Sequence, residues 1–123
     1  MDKKKILVID DDKTIQALLK NTFELNGYIV ETADNGQFGF EKAVTDFYDL
    51  VTMDIKMPHW NGLEAIASLE IVKPELKIIV LSSYLNEHEN EKVGQAPNVV
   101  KLIDKPFSIN DLLSEIKKAI EKN

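Results

Sequence analysis

The chain alternates. Short apolar or β-rich runs at residues 6–9, 28–32, 50–53, 78–81 and 99–103 are separated by longer stretches with apolar residues at helical spacing. Runs of continuous apolar character belong to strands covered on both faces, which means a parallel sheet with helices on either side. Between the runs, Ile15, Leu18, Leu19, Thr22 and Phe23 predict a first helix, stopped by Asn26-Gly27. Phe38, Phe40, Ala43, Val44 and Phe47 predict a second, although Phe38 and Phe40 cannot both face inward on an ideal helix. Leu63, Ile66, Ala67, Leu69 and Val72 predict a third, with Asn61 as N-cap, Glu64 three residues on, and closure before Pro74. Residues 86–92 are almost wholly polar and predict at best a weak helix, with 87–91 a solvated face. Ser108-Ile109-Asn110-Asp111 opens a last helix carrying Ile109, Leu112, Leu113, Ile116 and Ile120. No repeat, linker or low-complexity tract divides the 123 residues, so a single domain over 1–123 is expected.

Composition narrows the function. Fifteen basic against 21 acidic residues give a net charge of −6, which disfavours nucleic acid and anionic membranes as partners. Every basic residue is Lys, so any phosphate must be held by ammonium groups, backbone N–H or metal rather than by a guanidinium fork. The absence of Cys excludes disulfides, thiolate metal sites and cysteine nucleophiles. No apolar run approaches the roughly 18 residues of a membrane span, and the start is not a signal peptide, so the cytoplasm is the expected location.

In a parallel α/β sheet, ligands sit outside the carboxyl ends of the strands. The residues just past the runs are Asp10-Asp11-Asp12, Asp54, Ser82-Ser83 and Asp104-Lys105. Asp10, Asp11 and Asp54 converge at one edge in such a sheet. Two carboxylates about 4 Å apart repel by roughly 4 kcal/mol at an effective dielectric near 20. Such a cluster calls for a hard cation, and Mg²⁺ takes one or two carboxylates while keeping waters and a phosphate oxygen. Asp12 reads instead as the N-cap of the first helix. Lys105 is held on stiff backbone by Pro106.

These residues together resemble the receiver domain of two-component response regulators, the chemotaxis-regulator-like family. The likeness rests on Ile6-Leu7-Val8-Ile9-Asp10-Asp11-Asp12, on Met53-Asp54-Ile55-Lys56-Met57-Pro58 with Asn61-Gly62-Leu63-Glu64, on Ile79-Val80-Leu81-Ser82, and on Asp104-Lys105-Pro106-Phe107. It runs through essentially the whole chain in the family's order and spacing. The resemblance implies a doubly wound, flavodoxin-like α/β fold with a five-stranded parallel sheet in order 2-1-3-4-5 flanked by five helices. It implies Asp54 as phosphoacceptor, and Asp10, Asp11, Asp54 and the backbone carbonyl of Lys56 as ligands of Mg²⁺. Lys105 would contact a phosphoryl oxygen, and Ser82 would be the switch hydroxyl. Phosphoryl transfer is mainly positioning and charge neutralisation, so a carboxylate nucleophile, Mg²⁺ and a Lys suffice. The implied partners are a histidine kinase or histidine phosphotransfer protein and a downstream protein target. The implied protein is a stand-alone switch that catalyses only its own phosphorylation and dephosphorylation. Two departures stand out: Leu102 occupies the position where the family often has Tyr or Phe, and the stretch from Ser82 to Lys105 is one residue longer than usual.

Two alternatives remain open at this level. Asp10-x-Asp12-x-Thr14 fits the signature of haloacid-dehalogenase-type phosphatases, with Asp10 as nucleophile and Asp12 as general acid/base. The short chain, the lack of an acidic metal motif after Lys105 and the unexplained Asp54 motif count against it. The other is a receiver-like scaffold that binds proteins without being phosphorylated. By the resemblance, Lys56 and Tyr84 flank the path of hydrolytic water, with plain surface roles as the alternative. His59 and His88 read as exposed, and Trp60 as a partly exposed loop residue.

Overall fold

The computed structural model describes residues 3–83 and 85–121, so expectations that fall on Tyr84 or on the chain ends lie outside the described residues. Five strands and five helices alternate: β1 (Lys5–Ile9), α1 (Lys13–Leu25), β2 (Ile29–Ala33), α2 (Gly36–Thr45), β3 (Leu50–Met53), α3 (Gly62–Val72), β4 (Ile78–Ser82), α4 (Glu87–Gln95), β5 (Val99–Asp104) and α5 (Ile109–Glu121). The strands form one parallel sheet in the order β2-β1-β3-β4-β5, the expected doubly wound arrangement.

The apolar runs explain the two-sided core. Leu7, Ile9, Val51, Met53, Ile78 and Val80 pack on one face with Ala43, Ile66, Leu69 and Val93 from α2, α3 and α4. Ile6, Val8, Leu50, Ile79 and Leu81 pack on the other with Leu19 and Phe23 of α1 and Leu112 and Ile116 of α5. Adjacent residues of a strand feed opposite faces, which is why these runs are continuously apolar rather than alternating.

The two edge strands depart from that expectation. β2 and β5 are only partly buried, because each has a neighbour on one side alone. In β5, Ile78 pairs with Val99 and Ile79 with Lys101, so Val100 is skipped and stands 45% exposed. This bulge takes up one residue of the long stretch between Ser82 and Lys105.

The helix ends follow local chemistry. Asp12 Oδ1 accepts the Thr14 and Ile15 N–H groups, Asn35 Oδ1 that of Phe38, and Asn61 Oδ1 that of Glu64. α2 ends at Thr45, two residues before Phe47, which is 72% exposed instead of completing the helix's apolar face. Phe38 is exposed while Phe40 packs on the core, the choice that helical geometry demands. α4 is a full helix despite its polarity. A reciprocal capping box between Asn86 and Glu89 starts it, and Val93 anchors it in the core.

Candidate functional site

The site hangs on backbone ladders carried one residue past the strands. The Asp10 N–H donates to Ala33 O of β2, the Asp54 N–H to Ile9 O of β1, and the Lys105 N–H to Ser82 O of β4, at 3.0–3.1 Å. Each bond locks one functional residue at the carboxyl edge of the sheet. Carboxylate oxygens of Asp10, Asp11 and Asp54 come within 4.8 Å of one another. Asp10 and Asp54 are buried and Asp11 is exposed, so the cluster opens to solvent on one side.

Lys105 is the counter-charge. Its Nζ lies 2.8 Å from Asp10 Oδ2 and 3.2 Å from Asp54 Oδ2, with the side chain only 14% exposed. Burial works against this ammonium, but the hydrogen bond to Asp10 and the charges of Asp54 and Asp10 outweigh it and hold its pKa above the ordinary value. The two acids are not equivalent. Asp10 has the shorter contact with Lys105 and also accepts the Asp12 N–H at 2.9 Å. Asp54 accepts the Lys56 N–H at 2.9 Å and shares Lys105 at the longer distance. Burial therefore pushes the Asp54 carboxyl above its ordinary range, against the pull of Lys56 and Lys105, with the Asp10 charge adding to the rise.

Ser82 ends β4, fully buried, and its Oγ has no hydrogen-bond partner among the described residues. The register pairs Met53 with Val80, so Ser82 lies at the same edge as the acids. A buried hydroxyl left unpaired costs about 1–3 kcal/mol, and Ser82 shares that condition with Thr52 Oγ1 and Trp60 Nε1. Three hard oxygen donors, two of them buried against a single ammonium, fit a divalent hard cation such as Mg²⁺.

The other strand-end groups fall elsewhere. Asp12 spends its carboxylate on the α1 cap and is not one of the clustered acids, so the general acid/base of the phosphatase alternative is not in place. Asp104 is exposed at the end of β5. His59 and His88 are exposed, and His59 has a positive φ of 56° in the loop after Pro58. Trp60 is half-buried, its ring lying against Gly36 so closely that a Cβ there would sit 1.9 Å from the indole. Gly62 is equally constrained, since a Cβ would fall 2.7 Å from the Ile55 Cα. That approach explains the glycine at the end of the Asp54 motif.

Gln16 and Glu89 lie outside the Asp, Ser and Lys motifs, yet both touch the site's framework. Gln16 is buried and donates from Nε2 to the Asp10 carbonyl. Its sequence signal is a lone amide between Ile15 and Leu19 on the apolar face of α1. Glu89 receives the Lys56 ammonium at 2.9 Å. The Asn86 N–H and Lys56 together hold its carboxyl below the ordinary range. Its signal is the Asn-x-x-Glu spacing of a capping box.

The comparisons agree with this geometry. The family model for the response regulator receiver domain matches residues 6–117. The response regulator receiver protein CpdR of Brucella abortus is 32% identical over 117 residues, covering 95% of this chain and 97% of that protein. The response regulator MprA of Mycolicibacterium vanbaalenii is 30% identical over 119 residues, and there the chain spans about half the relative's length, 51%, against 96% of its own. Among solved structures, a CheY-like receiver domain protein from Methanospirillum hungatei superposes with a TM-score of 0.93 at 30% identity, covering 98% of this chain and 96% of that one. TrrA of Thermotoga maritima, solved in complex with Mg²⁺ and BeF, gives 0.83 at 34% identity, covering 94% and 98%. A flavodoxin-like sheet with an acid cluster and a Lys at its carboxyl edge, matched along nearly its whole length in sequence and in structure, places this chain in the response regulator receiver domain family.

Proposed function

We propose that Asp54 accepts a phosphoryl group from a phosphohistidine, on a histidine kinase or a histidine phosphotransfer protein, and that this event changes binding to a downstream protein. The observation that supports this best is the convergence of the Asp54, Asp10 and Asp11 carboxylates on the Lys105 ammonium. An Asp54 carboxylate oxygen attacks phosphorus, the new P–O bond forms, and the P–N bond breaks with its electron pair going to the imidazole nitrogen. Lys105 moves its charge to a phosphoryl oxygen, and the Ser82 hydroxyl donates to another. Asp10, Asp11, Asp54 and the Lys56 carbonyl are the residues that would hold Mg²⁺. When bound, it neutralises charge on the phosphoryl oxygens. The role is that of a switch acting on its own aspartate, with no separate substrate, and the expected setting is the cytoplasm.

The test is labelling. With Mg²⁺ and acetyl phosphate or a phosphorylated kinase, the protein gains one acid-stable, base-labile phosphoryl group. Equal labelling of Asp54→Asn overturns the assignment. Turnover of phosphate esters without a stable label favours a phosphatase. Failure to label at all favours a scaffold that only binds proteins.

A further inference from the structure

Lys56 makes two contacts at once. Its N–H donates to Asp54 Oδ1 at 2.9 Å. Its side chain crosses from the loop after β3 to α4, where Nζ lies 2.9 Å from Glu89 Oε1. That same Oε1 accepts the Asn86 N–H at 2.9 Å, while Asn86 Oδ1 accepts the Glu89 N–H at 2.8 Å. One residue thus holds the acceptor carboxylate with its backbone and the first turn of α4 with its ammonium.

α4 is the helix most open to such a tether. It is strongly polar, and Val93 is its one buried residue. A short helix with so little apolar burial depends on its cap and on a few polar ties.

We infer that the Lys56–Glu89 ion pair transmits the state of Asp54 to the N-terminal turn of α4, so that phosphorylation loosens that turn. This rests on the proposed phosphorylation of Asp54. Phosphorylating one carboxylate oxygen forms a mixed anhydride, which removes the carboxylate charge and weakens the group as an acceptor for the Lys56 N–H. The phosphoryl group brings about two negative charges to the carboxylate that the Lys56 N–H holds, on the same residue whose ammonium Glu89 holds in the free protein. Lys56 is drawn toward the new charge, and Glu89 keeps its capping bond without its ion pair. The downstream partner then meets an α4 whose first turn opens more readily.

Glu89→Gln separates the two roles of Glu89. Glutamine retains the carbonyl acceptor a capping box uses and lacks the charge. Amide hydrogen exchange of residues 86–93 is measured in the wild type and in Glu89→Gln, each free and loaded with Mg²⁺ and beryllium fluoride. Phosphoryl uptake from acetyl phosphate is measured in parallel. Loading the wild type should speed exchange in this turn about threefold, the scale of a partly exposed ion pair. Glu89→Gln should already exchange at the faster rate when free, change little on loading, and take up phosphoryl as the wild type does. Normal uptake with the same exchange response in both proteins, or with no response in the wild type, overturns the inference and leaves the proposed function standing. No uptake in either protein overturns the proposed function and the inference with it.

Discussion

Asp10 and Asp54 sit at the same sheet edge under different constraints. Both are buried and each accepts one backbone N–H, but the Lys105 ammonium lies 2.8 Å from Asp10 and 3.2 Å from Asp54. Its carboxyl pKa lies above the unperturbed 3.8 because burial dominates. A folded acid that holds its proton more tightly than the unfolded chain destabilises the fold once pH rises through the unfolded value. Asp54→Asn should therefore stabilise the metal-free protein at neutral pH by about 1 kcal/mol, the scale of functional-site trade-offs. The gain should shrink as pH falls through 3.8. Urea denaturation in EDTA at pH 7 and below pH 4 measures both. A loss of stability at pH 7 would mean that the Asp54 carboxylate is a net structural asset.

At the level of elements, the helices divide by what holds them. α1 and α5 bury Leu19, Phe23, Leu112 and Ile116 in one core face, and their amphipathic spacing is enough to form them. α4 has only Val93 in the core and leans on the Asn86–Glu89 cap. Asn86→Ala should cost about 1 kcal/mol of α4 stability, the usual value of an N-cap. With so little apolar burial α4 should open locally, so the loss should appear as faster amide exchange in residues 86–95 while the global denaturation midpoint barely moves. An equal fall in both would show that α4 unfolds only with the whole domain.

At the scale of the whole molecule, two polar clusters among the described residues each join several elements. One is the acid site. The other ties β1, β2, α2 and the approach to β3: Glu31 accepts from Tyr48 Oη at 2.7 Å, Lys5 at 2.9 Å and Lys42 at 3.2 Å. Lys5 also lies 4.8 Å over the Tyr48 ring. The Tyr48 hydroxyl, then Lys5, pull the Glu31 carboxyl from 4.5 down to about 2. A lowered carboxylate pKa adds stability that is fully present above the unfolded value and lost as pH falls toward the folded one. Glu31→Gln should be less stable than the wild type at pH 6 by about 1 kcal/mol, discounted for solvent screening. The gap should narrow between pH 4.5 and 2. Thermal melts of both proteins across that range provide the check, and a constant gap would rule out a charge-based tie. The acid site makes the opposite demand, for a cation. Mg²⁺ at ten times its dissociation constant should add about 1.4 kcal/mol to the wild type by mass action. Asp11→Asn should lose most of that gain, and an undiminished gain would move the metal elsewhere.

The sequence by itself determined the alternation of strands and helices, the parallel sheet and the identity of the edge residues. Those properties follow from local periodicity and from the rule that parallel strands are covered on both faces. The places of Asp10, Asp11, Asp54, Ser82 and Lys105 at the carboxyl edge were legible because each lies within two residues of the end of an apolar run. Asp12 and Asn61 were legible as caps because their acceptors reach only two or three residues along the chain. The tertiary structure alone decided how Lys105 divides between two acids, since that depends on the register of strands far apart in sequence. It also decided the bulge at Val100, which only pairing with β4 can reveal. α4 belongs to both levels. Its cap was present in the Asn86–Glu89 spacing, yet its polar residues hid the helix until Val93 found the core and Glu89 found Lys56 across the loop.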